Sequence, residues 1–244
     1  MSELLRKGET LTKVNDGIEL IQNPAGLTFG TDALLLAAFL RPAPHAAAAE
    51  FGSGSGIVSM LLAKRHKLRH IDALEVQPYY ADLTRRNVLH NGLGDQIEAV
   101  CRDVRELSYE YDIIFSNPPY MKTESGKRNE NDGKFAARHE VNGDIHDFCR
   151  AAAKNLKYGG DFYAVYRPDR MMDLLSAMRN AAIEPKRLCF VHPSERHKPC
   201  LLLVAGKRGG KAGCDIMRPL FLTREDGSPT PDATRIYETG DWVE

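Results

Sequence analysis

The chain alternates short, β-like apolar runs with longer stretches whose apolar residues recur at helical spacing. Ala46–Phe51 is a short apolar run that ends in Gly52-Ser53-Gly54-Ser55-Gly56. Ser55–Lys67 follows with Ile57, Val58, Leu61 and Leu62 on one side, the pattern of an amphipathic helix. Ile71–Val76 is a second apolar run, and Pro78–Leu89 opens with a proline that suits a helix's first turn. Ile97–Cys101 and Tyr111–Ser116 read as third and fourth strands, the latter stopped by Asn117-Pro118-Pro119. Ile145–Leu156 reads as a helix that ends at Gly159-Gly160, Phe162–Tyr166 as a fifth strand and Asp169–Ala182 as a helix closed before Pro185. Leu188–His192 and Cys200–Ala205 complete a set of seven strands. Strands separated by helices predict an α/β fold with a mostly parallel sheet and helices on both faces. The last two strands are joined only by Pro193–Pro199, too short for a parallel crossover, so the last strand is predicted antiparallel.

No repeat and no low-complexity linker divides the 244 residues. The expected organisation is an N-terminal extension over 1–40 packed on the core, one α/β domain over 41–211, and a turn-rich tail over 212–244 with no assigned role. The longest unbroken apolar run, Ala33–Leu40, is far shorter than the roughly 20 residues of a membrane span. The first residues hold no apolar core of signal-peptide length, so a cytoplasmic protein without membrane contact is expected. Five cysteines are scattered without a C-x-x-C pair, and no histidine stands at metal-ligand spacing with them. Reduced, mostly buried thiols and no metal are the expectation. Lys plus Arg and Asp plus Glu both number 33, so whole-chain charge gives no support for nucleic-acid binding. The neutrality hides a contrast. Lys186–Lys211 carries seven basic residues and one acidic, and Gly213–Glu244 three basic and seven acidic.

The glycine-rich turn is the first chemical signal. Glycines allow a tight turn and close approach of backbone to a ligand, and the following helix start offers free N–H groups. Gly52, Gly54 and Gly56 are spaced G-x-G-x-G, so neither the pyrophosphate fingerprint nor an NTPase phosphate loop fits. Glu50, just before them, would repel a pyrophosphate and suits a cationic amino group. That points to S-adenosylmethionine. Glu75, about twenty residues further on, ends the second strand, where a carboxylate can accept ribose hydroxyls. Asp103, past the third strand, is a candidate acceptor for an adenine amino group.

The second signal is Asn117-Pro118-Pro119-Tyr120. An exocyclic amine on a base is a poor nucleophile, because its lone pair is spread into the ring. Acceptors for its two N–H groups localise that pair. The Asn117 side-chain oxygen and the Pro118 carbonyl are such acceptors, Pro119 stiffens the turn, and Tyr120 can stack on the target. With these residues the chain resembles the Rossmann-like class I S-adenosylmethionine-dependent methyltransferases of the Asn-Pro-Pro-Tyr branch. That branch methylates planar nitrogens, in bases or in glutamine side chains. The resemblance implies transfer by positioning and electrostatics, without metal or covalent nucleophile.

Only 49 residues precede Glu50, too few for the helical domain of the glutamine methyltransferases of release factors, and no DNA target-recognition domain is visible. Phe29-Gly30-Thr31-Asp32, Ala137-Arg138-His139-Glu140 and Gly206-Lys207-Arg208-Gly209 resemble segments of the tRNA1(Val) (adenine37-N6)-methyltransferase family. That resemblance implies a tRNA substrate, methylation at N6 of an adenine beside the anticodon, and a cofactor role for Thr31 with Glu50, Gly52, Gly54, Gly56, Glu75, Asp103 and Asn117. Phosphate contacts are expected from Lys122, Arg138, Arg196, Lys198, Lys207 and Arg208. The alternatives that stay open are a guanine-N2 of ribosomal RNA, a glutamine-N5 of a protein, and an RNA-binding protein without catalysis. A monomer is expected.

Overall fold

The computed structural model describes residues 4–26, 28–118 and 144–243. A hairpin of β1 (Thr10–Lys13) and β2 (Glu19–Gln22) precedes α1 (Thr31–Phe39). The central unit then runs β3 (Ala43–Phe51), α2 (Ile57–Lys64), β4 (Leu68–Glu75), α3 (Pro78–His90), β5 (Ile97–Cys101), β6 (Tyr111–Ser116), α4 (Ile145–Asn155), β7 (Leu156–Tyr166), α5 (Met171–Asn180), β8 (Ile183–His192) and β9 (Leu201–Arg208). The short strands β10 (Asp215–Ile216) and β11 (Leu220–Phe221) and helix α6 (Pro231–Thr239) close the chain.

The main sheet has the order β10-β8-β9-β7-β6-β3-β4-β5, with β11 also on β8. Pairs among β5, β4, β3, β6 and β7 are parallel, and β9 runs antiparallel to both its neighbours, as its short connection requires. Apolar clusters cover both faces, one built with α1, α2 and α3, the other with α4 and α5. This two-sided burial explains why the strands read as continuous apolar runs rather than alternating ones. The run Ala33–Leu40 is likewise buried on every side, which is why it carries no polar face.

Chain order fixes where a crevice opens. From β3 the chain steps outward to β4 and β5, then returns to place β6 on the opposite side of β3. Loops leaving the carboxyl ends of β3 and β6 therefore diverge, the place where open α/β sheets bind ligands. Ser116 Oγ donates to the Phe51 carbonyl at 2.8 Å and ties the two strand ends together beneath it.

The segments flanking the central unit fold onto it. Asn87 on α3 accepts from Ile21 N at 2.7 Å and donates to the Ile21 carbonyl at 3.0 Å, and Asn91 does the same with Glu19 at 2.9 Å for both bonds. The two amides clasp β2 as a neighbouring strand would. Glu9 is buried and bound by Arg86 at 2.7 Å, which holds its carboxyl down at about 2. At the other end, α6 packs on α1, and Trp242 stacks edge-on against Phe39 with ring centroids 5.0 Å apart. The buried Lys67 ammonium donates to the carbonyls of Ala37, Ala38 and Leu40 at the end of α1 and to that of Gly240 after α6, at 3.0–3.1 Å.

The expectation of mostly buried cysteines needs correction. Cys149 and Cys189 are buried but Cys101, Cys200 and Cys214 are exposed, because the latter lie on an edge strand or in loops. All five are unpaired thiols. Among the described residues no helix is long and apolar enough to cross a membrane.

Candidate active site

The turn after β3 owes its shape to its glycines. Gly52, Gly54 and Gly56 have φ of 73°, 57° and 77°, a region that glycine enters without the cost of a Cβ. Gly56 has a second constraint, since a Cβ there would lie 2.8 Å from Thr84 Cγ2 on α3. Gly54 faces open space, with nothing within 4 Å of the position a Cβ would take. The N–H groups of Gly52 and Ser53 both donate to the Leu74 carbonyl at 2.9 Å, which anchors the turn to β4.

Two carboxylates frame this turn. Glu75, the last residue of β4, is 6% exposed. It accepts from Gly54 N at 3.1 Å through Oε2 and from Gln77 N at 2.9 Å through Oε1. The Val76 N–H also bonds this carboxylate, and its four lone-pair sites leave room for a further donor such as a ribose hydroxyl. Burial pushes its carboxyl upward. Glu50 is buried deeper, at 2% exposure, and turns toward the start of α2. There its Oε2 accepts from Ser59 N at 3.2 Å and from the Ser59 hydroxyl. Desolvation pushes the carboxyl up to about 8. Its first partner is thus the helix it precedes, where the sequence suggested a bound ammonium.

Asp103 is also more engaged than expected. It caps the 3-10 turn Val104–Glu106, accepting from Arg105 N at 2.9 Å, and is clamped by the Arg105 guanidinium at 2.5 Å. That contact holds its carboxyl below the usual range. An adenine amino group would share this carboxylate with Arg105. Thr31 opens α1 and lies beside Tyr237 on α6, whose hydroxyl burial pushes upward.

Across the crevice, Asn117 and the buried Pro118 leave β6. Asn117 Nδ2 donates to Asp32 Oδ2 at 2.8 Å. Asp32 lies in the first turn of α1, where the positive end of the helix dipole favours a carboxylate. The sequence singled out Thr31 in this segment and passed over its neighbour. The available signal was an acid in the first turn of a helix whose start borders the crevice. Pro119, Tyr120, Lys122 and Arg138 lie outside the described residues.

The basic segment does not form one patch. Arg196 and Lys198 sit in the loop after β8, which runs parallel to β7, so this loop lies at the same edge of the sheet as the crevice, three strands from β6. Lys207 and Arg208 end β9, which runs the other way. Lys207 pairs with Asp161, five residues down β7 from Tyr166, or roughly 17 Å below the rim at 3.4 Å per residue. Lys207 Nζ meets Asp161 at 2.7 Å and the Gly159 carbonyl at 2.8 Å, and Arg208 donates to the Leu156 carbonyl. Arg187 is buried, its guanidinium carbon 4.1 Å from the Phe39 ring centroid. Lys207 and Arg208 thus lie toward the opposite edge of the sheet from Arg196 and Lys198, so the four expected phosphate contacts do not share one surface. Arg196 pairs with Glu225 at 2.6 Å on the open surface, a contact worth about 0–1 kcal/mol and easily exchanged.

His70, Asp72 and Glu98 bring ligand atoms within 4.8 Å of one another. Both Asp72 oxygens already have partners, His70 Nε2 at 2.9 Å and the Tyr111 hydroxyl at 2.6 Å. The trio stands in mid-strand on β4 and β5, away from the crevice.

A family model described as methyltransferase small domain matches residues 25–182. A protein of Bacteroides fragilis named tRNA1(Val) (adenine(37)-N6)-methyltransferase is 30% identical over 171 residues, which are 66% of this chain and 69% of that one. Among solved structures, a predicted O-methyltransferase of Agrobacterium tumefaciens superposes with a TM-score of 0.71 at 19% identity, covering 87% of this chain and 98% of the other. TYW2 of M. jannaschii, solved in complex with AdoMet, superposes at 0.57 with 15% identity, over 83% and 86% of the two chains. At these identities the two structures speak for the fold.

Proposed function

The chain belongs to the methyltransferase small domain family, and on that ground we propose that it methylates N6 of an adenine in tRNA, beside the anticodon. The observation that carries the reading is Asn117 at the carboxyl end of β6, across the crevice from the glycine turn, with its Nδ2 bound to Asp32. That bond orients the amide, whose oxygen is the end with the chemistry to accept from a donor amine.

The donor half of the crevice suits S-adenosylmethionine. Gly54 leaves room for a ligand against the backbone, and Glu75 offers an acceptor to a ribose hydroxyl. Asp103 and Thr31 border the same crevice, and Glu50 holds the base of the turn through Ser59. S-adenosylmethionine supplies an electrophilic sulfonium methyl group. Asn117 Oδ1 accepts one N6–H of the target adenine, and the Pro118 carbonyl accepts the other. Both bonds draw the nitrogen lone pair out of conjugation and toward the methyl group. The methylated amine is strongly acidic, so its surplus proton leaves to water without a dedicated base. Catalysis is therefore geometric and electrostatic.

A tRNA loop suits a crevice of this kind, because an unpaired adenine can be splayed out at modest cost. The relative from Bacteroides fragilis bears the name of a tRNA adenine methyltransferase, and the basic side chains of Arg196 and Lys198, at the crevice edge of the sheet, suit phosphates flanking the target base. The test is incubation of the protein with methyl-labelled S-adenosylmethionine and tRNA from cells lacking the enzyme, followed by mass spectrometry of the nucleosides. N6-methyladenosine is the expected product. Label in guanosine, or in protein glutamine, overturns the reading.

A further inference from the structure

We propose that Asp32 is a positioning residue for methyl transfer, fixing which end of the Asn117 amide faces the acceptor amine; the inference rests on the function proposed above. An asparagine amide presents an oxygen on one side and an NH2 on the other, and the two ends are nearly identical in shape. A flip of half a turn about its last side-chain bond replaces an acceptor with a donor. In that orientation Asn117 repels the N6–H it is there to accept, and the site is dead although every atom is still in place. Something must therefore choose the orientation before substrate arrives.

Asp32 makes that choice. Its Oδ2 accepts from Asn117 Nδ2 at 2.8 Å, and its Oδ1 accepts from Ala33 N at 3.0 Å. Both oxygens thus act as acceptors at once, which only a carboxylate can do with this side-chain length. The hydrogen bond to a charged acceptor is also stronger than a neutral one, and it draws electron density through the amide toward Oδ1. A better acceptor at Oδ1 meets the positive charge that develops on the attacking amine. The placement is built by the fold. Asp32 rides on α1, whose far end is locked by Lys67 and whose face carries α6.

The geometry sets an unusual order of severity. In Asp32→Asn one end of the new amide must bind Ala33 N with its oxygen, which leaves its NH2 facing Asn117. That NH2 seeks the Asn117 oxygen and locks the amide the wrong way round. Asp32→Ala removes the lock without imposing the wrong one. The isosteric polar variant is thus expected to be no better than the truncation, the reverse of what a merely structural role would give.

The experiment is steady-state methylation of a valine tRNA transcript by wild type, Asp32→Asn, Asp32→Ala, Asn117→Ala and the Asp32→Asn/Asn117→Ala double variant. Cofactor affinity is measured alongside by calorimetry, and folding by thermal unfolding. Asp32→Asn should lower kcat by about 10-fold to 100-fold, the range for losing a hydrogen bond to a charged group. The cofactor Kd should stay within about twofold of wild type on the same reasoning, and Asp32→Asn should cost nothing further once Asn117 is alanine. Three results each overturn the proposal. One is an Asp32→Asn kcat within twofold of wild type or above that of Asp32→Ala. Another is a loss that falls on cofactor affinity instead. The last is multiplication of the two single losses in the double variant. Normal turnover by Asn117→Ala is a different failure, that of the proposed function itself.

Discussion

Replacing Glu50 by glutamine should remove a pH dependence built into the glycine turn. Glu50 is 2% exposed, and its only described donors are the N–H and hydroxyl of Ser59. Desolvation outweighs both bonds and raises the carboxyl from 4.5 to about 8. A raised carboxyl stabilises the fold fully below the unfolded value, and that contribution is lost as pH climbs through the folded one. The window is therefore about pH 4.5 to 8. At about 1.36 kcal/mol for each pH unit, the whole displacement of 3.5 units is worth on the order of 5 kcal/mol. Urea unfolding of the ligand-free protein at pH 5, 6.5 and 8 measures it. Wild type should lose several kcal/mol relative to Glu50→Gln across that window. A difference between the two proteins that stays constant within about 0.5 kcal/mol would show that Glu50 is already ionised at pH 5. The same carboxyl gives a second readout. If it ionises against the ligand's ammonium, S-adenosylmethionine binding at pH 7 releases close to one proton, visible by calorimetry in buffers of different ionisation enthalpy.

Glu75→Ala should weaken S-adenosylmethionine by about 10-fold to 100-fold in direct titration, the scale of a charged acceptor lost from a buried site, and an unchanged Kd would remove Glu75 from the ribose site. Lys67→Met strips the donor from four carbonyls that bind α6 to α1, so we expect about 2–5 kcal/mol of lost stability and faster proteolysis near residues 209–230; a loss under about 1 kcal/mol would contradict the clamp. Charge reversal of Lys207 and Arg208 should leave tRNA affinity within about twofold, whereas reversal of Arg196 and Lys198 should weaken it and flatten its salt dependence, each phosphate contact contributing close to one unit of slope. Equal effects from the two pairs would contradict the placement of β9.

How much of this could be read from the residues depended on distance along the chain. The bounds of Ile97–Cys101 and Tyr111–Ser116 are legible in the sequence because each is a compact apolar run between polar turns. Other boundaries are hidden where a turn-former sits inside a strand. Gly159-Gly160 reads as a helix stop, yet β7 already begins at Leu156 and takes up the pair in a register shift, with Gly159 at a φ of 79°. Pro185 similarly lies in β8, at a shift that excuses its missing N–H. The hairpin β1–β2 and the strands β10 and β11 carry little local signal, since side chains of α3 and the edge of β8 hold them. The glycine turn and Asn117 stood out because their chemistry is contained in a few adjacent residues. The basic segment misled for the opposite reason. Lys198 and Lys207 are nine residues apart, but an antiparallel strand between them carries the second to the far end of the sheet.

The central claim is that Asn117 accepts a hydrogen bond from the amine under attack, and single-turnover methylation of a valine tRNA transcript by Asn117→Ala tests it most directly. With saturating S-adenosylmethionine, the rate constant should fall by about 100-fold or more, the usual cost of removing one group that meets developing charge. Calorimetry on the same preparation should find the cofactor bound as tightly as before, within about threefold. A wild-type rate with Asn117 gone would contradict the account.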